Sequence, residues 1–495
     1  MTTNVTIHRL PTGVPGLDTV LGGGIPEFSF NLIGGPPGCG KTTLAHQLMF
    51  TLATAERPAL YLTVLGEPPL KMLRYQQQFE FFDADAIGTS VRFVSLSDAV
   101  SSGDLGQVLA RIVAEVEAHS PALVFVDSFR SLLRASDGGA AGAENSQQAF
   151  MQQLGMLMTA WQATTFMIGE YPLEGDANPV FTVADGLIWL RQSVERNSMV
   201  RKMEIRKMRG QATVPGLHTF RITGAGIEVF PPAASVAAEV ADLDTSALRE
   251  RLSVGVAGID EMLGGGLPRG YSLLVAGPSG SGKSVLAAAF LAEGARNGET
   301  GVFAAFEQRP NALRNRVVHD LIVAGSVGLV DSLALDLSTD ETLHRLTTEI
   351  KRMKASRVVI DSLSGFELAL APTFREDFRE SLFRLVSALA GRGVSVLLTS
   401  ELEDRYTDLR FSPYGTAFLT DAILVQRYIE VESRLRRVMA VVKVRGSAHS
   451  DELREYHLDG GAIRVGAPLP EQEGLLGGRP TLRRTSGPGP ATTPG

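Results

Sequence analysis

The 495-residue chain contains one cysteine, Cys39. A single thiol cannot build a disulfide framework, which excludes the small cross-linked secreted folds and fits a reducing compartment. No run of 18 apolar residues occurs, so no membrane-spanning helix is expected. The first residues lack a basic-then-apolar leader pattern, and a cytoplasmic protein without a membrane partner is expected. A basic excess is missing as well: Lys and Arg number 47 against 54 Asp and Glu, a net charge of −7. That balance argues against DNA as a partner held by bulk charge. The paired H-R-D and D-F-G motifs of protein kinases are also missing.

What is present in duplicate is a glycine-rich phosphate loop. Gly35-Pro36-Pro37-Gly38-Cys39-Gly40-Lys41-Thr42 fits G-x-x-x-x-G-K-[ST], and Gly277-Pro278-Ser279-Gly280-Ser281-Gly282-Lys283-Ser284 fits it again. The two lysines are 283 − 41 = 242 residues apart, and at that offset 18 of the 36 positions in 10–45 and 252–287 are identical. The matches include Gly13/Gly255, Asp18/Asp260 and a Leu-Gly-Gly-Gly run. Glycines let backbone N–H groups turn inward around phosphate oxygens. The helices that follow, from Thr43 and Val285, aim their positive dipole ends at the same place. Lys41 and Lys283 would reach the β- and γ-phosphates, and Thr42 and Ser284 would offer a hydroxyl to Mg²⁺. Cys39, inside the first loop, reads as a small packing residue, with a redox switch as the alternative.

The remaining pattern is strand alternating with helix. Residues 122–128 (ALVFVDS) form an apolar run ending in Asp127, and 357–361 end in Asp361. An acid at the carboxyl end of a buried parallel strand is the Walker B arrangement, which helps to hold Mg²⁺. Further strands are expected at 28–33, 59–65, 91–96, 164–170 and 186–191, and a helix at 104–118 from its i, i+3, i+4 apolar stripe. The second half repeats the order. Each half ends in a ribbon followed by a basic cluster, Lys207-Met208-Arg209 and Lys443-Val444-Arg445. These readings give two α/β P-loop domains, each a mostly parallel sheet flanked by helices, at 1–230 and 248–466. Residues 231–247, rich in Ala, Pro and Ser, read as a linker, and 467–495 as a disordered tail.

The tandem P-loops, the preceding G-x-x-G-[LI]-D…GGG segment and the late K-x-R-G together resemble the KaiC family of duplicated RecA-like ATPases, over roughly residues 8–466. The resemblance implies ATP and Mg²⁺ as cofactors and a hexameric ring with ATP at the subunit boundaries. It implies that Lys207, Arg209, Lys443 and Arg445 touch the γ-phosphate held by a neighbouring subunit, in the manner of arginine fingers. A solvated strand face is the plain reading of the same cations. The family also carries Glu-Glu-x-Pro, one carboxylate of which orients or deprotonates the attacking water. Here the first domain has Gly66-Glu67-Pro68-Pro69 and the second Glu307-Gln308-Arg309-Pro310. Each keeps one acid, Glu67 or Glu307, and not the same one. The Ser-Thr pair that the clock protein of the family phosphorylates is replaced by Ala417-Phe418. Thr416 and Thr420 are the hydroxyls nearby.

The leading expectation is therefore an ATPase that couples nucleotide state to ring conformation and to a protein partner the sequence does not name. A KaiC-type Ser/Thr autokinase, a RecA-type DNA-dependent ATPase and a slowly hydrolysing nucleotide-gated scaffold are the alternatives.

Overall fold

The computed structural model describes residues 7–64, 69–101, 104–128, 143–171, 179–195, 198–232, 250–306, 309–311, 313, 315–331, 338–369, 378–390, 393–402, 420–431, 433–469, 472–473 and 481–482. The chain divides into two compact units, Met1–Ser235 and Val236–Gly495.

In the first unit the elements of interest are β1 (Phe30–Gly35), α1 (Lys41–Leu52), β2 (Ala59–Thr63), β3 (Val91–Ser95), α2 (Leu105–His119), β4 (Leu123–Asp127), α3 (Ala143–Ala160), β5 (Thr164–Glu170), β6 (Gly186–Glu195), β7 (Ser198–Met208), β8 (Leu217–Thr223) and β9 (Gly226–Phe230). They form a nine-stranded sheet in the order β9-β8-β7-β6-β1-β5-β4-β2-β3. The pairs from β6 through β3 are parallel, whereas β7, β8 and β9 continue the sheet antiparallel.

Alternation along the strands explains the two covered faces. Phe125 and Leu123 point into one core with Ile33, Tyr61, Phe166 and the Leu44–Leu48 face of α1. Val124 and Val126 point into the other, with Leu32, Leu60, Met167, Val108 and Ile112 of α2 and Leu154 of α3. Successive side chains of a strand alternate faces, so an unbroken apolar run is what a strand buried on both sides requires.

The second unit repeats the plan with β10 (Ser272–Gly277), α4 (Lys283–Arg296), β11 (Gly301–Ala305), β12 (Val327–Asp331), α5 (Thr339–Met353), β13 (Arg357–Asp361), α6 (Phe378–Ala390), β14 (Ser395–Glu401), β15 (Ala422–Val431), β16 (Arg434–Val444), β17 (Arg454–Asp459) and β18 (Ala462–Pro468). Its sheet order, β12-β11-β13-β14-β10-β15-β16-β17-β18, is the first order read backwards, element for element. The fold is thus two tandem RecA-like α/β domains, as the sequence pattern predicts.

Two details differ from expectation. The sequence reading ends the second domain at 466, but β18 runs to Pro468, completing its pairing with Arg454. In the segment expected to lack structure, Gln472–Glu473 pairs antiparallel with Thr481–Leu482. The rest of 470–495 and most of the linker lie outside the described residues. Among the described residues no helix is long and apolar enough to cross a membrane.

Candidate functional site

Each P-loop joins the carboxyl end of a central strand to a helix, β1 to α1 and β10 to α4. Gly40 and Gly282 set the junction. Both are left-handed, with φ of 102° and 101°. A Cβ would lie 2.8 Å from Ile222 Cδ1 in the first domain and 2.8 Å from Leu458 Cδ2 in the second. Only glycine combines that backbone with that contact. The next residue in each loop is the lysine. Lys41 Nζ donates to Pro36 O at 2.8 Å, and Lys283 Nζ donates to Gly277 O and Pro278 O at 2.8 and 2.9 Å. Each ammonium is therefore held over its own loop.

In the first domain a cavity of about 330 Å³ opens here, lined by Gly40, Lys41, Thr42, Thr43, Asp127 and Glu170 among others. The Thr42 hydroxyl donates to Asp127 Oδ2 at 2.9 Å and the Tyr61 hydroxyl to the same oxygen at 2.8 Å. Burial pushes the Asp127 carboxyl above the usual carboxylate range, against the pull of the Tyr61 and Thr42 hydrogen bonds. Burial and the adjacent Asp127 push the Tyr61 phenol well above its ordinary value, so it donates. A carboxylate and a hydroxyl on one cavity wall are hard oxygen donors that suit Mg²⁺ shared with phosphates, rather than a caged ion. The fit is in the donor set itself. In the second domain Asp361 accepts from Thr399 Oγ1 at 2.6 Å, and the loop is tied down by Ser281 Oγ to Gln426 Oε1 at 2.9 Å and by Tyr456 OH to Ser281 O at 2.6 Å. The Asp127–Ser128 and Asp361–Ser362 peptides are cis.

Cys39 occupies the place of Ser281 and is fully buried. Burial pushes its thiol up, with Lys41 pulling the other way. A buried thiol held in its protonated form is a poor nucleophile, which agrees with the packing role.

Two site residues escaped the sequence reading. Glu170 ends β5 in register with Gly35 of β1, and its carboxylate is 4.0 Å from Lys41 Nζ. Glu401 ends β14 in register with Gly277 of β10. The signal was present only in part: 164–170 (TTFMIGE) and 395–401 (SVLLTSE) are strands with an apolar centre that end in an acid, without the unbroken apolar run that marks Asp127. Glu67 and Glu307 lie outside the described residues.

The basic clusters sit elsewhere. Arg209 Nη1 is 2.9 Å from Asp185 Oδ1, and Arg445 Nη1 is 3.6 Å from Asp421 Oδ1. Lys207 Nζ donates to the carbonyls of Phe181 and Thr182, and Lys443 Nζ to that of Thr420 at 2.6 Å. Partial burial and the neighbouring arginine lower the pKa of both lysines. Asp185 Oδ2 accepts the Phe30 amide at 3.1 Å, and Asp421 Oδ2 the Ser272 amide at 3.0 Å. Phe30 and Ser272 are the first residues of β1 and β10. The P-loops begin at the other ends, five residue steps or about 17 Å away. The cations and the P-loop of one domain thus lie at opposite ends of its central strand.

Comparison with known proteins identifies the family. The sequence model of the family described as "ATPase: KaiC" matches residues 10–234 and again 252–469. The chain is 26% identical to the "Circadian clock oscillator protein KaiC" of Picosynechococcus sp. over 489 residues, covering 96% of this chain and 93% of that one. It is 27% identical to the protein of the same description from Rippkaea orientalis, over 96% and 92% of the two chains. It is also 27% identical to the "Circadian clock protein KaiC3" of Synechocystis sp., over 96% and 95%.

Proposed function

The chain belongs to the KaiC family of ATPases, and on that premise we propose that it binds Mg·ATP at both P-loops and hydrolyses it within a hexameric ring. Bound there, Mg·ATP would supply the phosphoryl group and the ion that offsets its charge. The backbone amides of Gly38–Thr42 and Gly280–Ser284 cradle the phosphates, and Lys41 and Lys283 swing from their loop carbonyls to the β- and γ-oxygens. Thr42 with Asp127, and Ser284 with Asp361, hold the ion. Glu67 and Glu307 are the candidates to orient the attacking water. Turnover changes ring conformation and, through it, the binding of a protein partner in the cytoplasm.

One observation carries the ring. Arg209 and Arg445 are anchored at the amino ends of β1 and β10, about 17 Å of strand from their own P-loops. Cations placed there serve a nucleotide only if a second chain brings its P-loop to them. A head-to-tail interface of that kind gives a ring where its rotation closes and a filament where it does not, and the ring is the reading we propose. Sedimentation with a slowly hydrolysed ATP analogue tests the reading. The expected species is six times the 52.9 kDa chain; a monomer at micromolar protein with nucleotide bound would overturn it.

A further inference from the structure

The two metal-holding aspartates are supported from opposite sides of their strands. Thr63 of β2 is in register with Asp127 of β4, and Tyr61 with Phe125. Two residues along the same face, the Tyr61 ring reaches forward and its hydroxyl meets Asp127 Oδ2 at 2.8 Å. The ring cannot turn away. It is fully buried, with His46 at 4.7 Å and Phe125 at 5.9 Å between centroids. A buried phenol needs a hydrogen-bond partner, and among the described groups Asp127 is the one it meets.

At the corresponding place the second domain has no hydroxyl. Ala305 is in register with Asp361, and the place of Tyr61 is taken by Phe303, in register with Val359. The donor comes instead from the opposite neighbour. Thr399 of β14, fully buried, gives its hydroxyl to Asp361 Oδ1 at 2.6 Å. The first domain has Ile168 in register with Asp127 at that place, which can donate nothing. Each domain thus carries one of the two donors, and each lacks the other's. Thr42 adds a second bond to Asp127 Oδ2, so Tyr61 and Thr42 both hold that carboxylate by one oxygen and leave Asp127 Oδ1 to be aimed.

We infer that Tyr61 and Thr399 are positioning residues for Mg²⁺, each holding the carboxylate of its own domain in the orientation that receives the ion, by two independent solutions. The inference rests on the nucleotide-binding reading above. Groups that hydrogen-bond a metal-holding carboxylate set its orientation and basicity, and their loss costs about 10–100-fold in metal affinity.

The test uses the full chain and binding, not turnover. A fluorescent ATP analogue is titrated with MgCl₂ in Lys283→Ala, which isolates the first site, and in Lys41→Ala, which isolates the second. Tyr61→Phe keeps the ring and its packing and should raise the Mg²⁺ midpoint of the first site about tenfold, leaving binding in EDTA unchanged and the second site untouched. Thr399→Val should do the reverse, and Thr399→Ser should restore the midpoint. A merely structural role would weaken binding with and without Mg²⁺ alike. If either variant binds the analogue with its Mg²⁺ midpoint unmoved, the assignment of that residue is overturned. If Tyr61→Phe unfolds, the Thr399 pair still decides between orientation and bulk packing. If the unmodified chain fails to bind the analogue at any Mg²⁺ concentration, the nucleotide-site reading falls and this inference with it.

Discussion

Arg209 is bonded to Asp185, and Asp185 in turn accepts the amide of Phe30, the residue that opens the strand leading to the P-loop. The second domain repeats the relation with Arg445, Asp421 and Ser272. In both, one carboxylate ties an exposed cation to the first residue of the central strand. If the cations work in trans, each strand joins two sites: the one its own loop forms, and the one its Asp-held arginine completes on the neighbour.

Mixing variants separates this from a structural role. A chain carrying Arg209→Ala and Arg445→Ala should bind ATP and hydrolyse it on the order of 10³-fold more slowly. A chain carrying Lys41→Ala and Lys283→Ala should not turn over at all. Mixed under conditions where rings exchange chains, the two should recover activity, because the second supplies arginines to the P-loops of the first. Phosphate release measured for the mixture and for each alone checks this; no gain on mixing would return the clusters to solvated strand faces.

How far the sequence reads can be argued from particular residues. The P-loops and Asp127 are legible because their chemistry is local: a run of neighbours, or an apolar run with an acid at its end. Glu170 and Glu401 carry a weaker form of that signal, because Thr, Ser and Gly interrupt the apolar residues before them. Tyr61 was not. In 59–65 it alternates like any apolar strand residue, and its role depends on β2 lying beside β4, a contact 66 residues apart in the chain. Asp185 is hidden for the same reason, since its amide partner is 155 residues away. The β8–β9 hairpin also went unread, because strands of seven and five residues around a two-residue Gly224-Ala225 turn give little periodicity.

The carboxylates should divide the work unequally. Glu307 holds the first place of the family's acid pair, whereas the first domain has Gly66 there and its one acid, Glu67, a residue later. General-base contributions are about 10²–10⁴-fold. Glu307→Gln should remove most phosphate release and Glu67→Gln little. In the Lys283→Ala background, which leaves the first site alone, Glu170→Gln should lower the residual rate further while nucleotide binding is kept, because its carboxylate faces the same cavity as Lys41 and Asp127. A large loss on Glu67→Gln would show that the backbone after β2 turns that acid into the site.

Autophosphorylation at the family's acceptor place should be missing. Ala417 and Phe418 carry no nucleophilic oxygen; they and Thr416 lie outside the described residues. The neighbouring Thr420 is 1% exposed, and Lys443 holds its carbonyl. A hydroxyl so enclosed cannot reach a γ-phosphate without local unfolding. Mass spectrometry of protein incubated with Mg·ATP should find no stoichiometric phosphate on Thr420. Finding it there would put the autokinase reading first.

The last prediction concerns stability rather than turnover. His46 lies on α1, fully buried against Tyr61, Phe93 and Phe50. Burial lowers its pKa from 6.5 to about 4. The unfolded chain therefore takes up a proton that the folded chain refuses between those values, so stability is full above about pH 6.5 and falls as the pH drops toward 4. A shift of that size is worth on the order of 3 kcal/mol once complete, of which about 2 kcal/mol is lost by pH 5. The second domain has Ala288 at the same offset in α4 and lacks this sensitivity. His46→Leu puts an apolar side chain of similar volume in its place and removes the titrating group. Denaturant unfolding at pH 7 and pH 5 should show the variant losing about 2 kcal/mol less than the unmodified chain across that interval. Equal losses would mean that His46 takes its proton in the folded state as readily as in the unfolded chain, and that its burial does not exclude the charged ring.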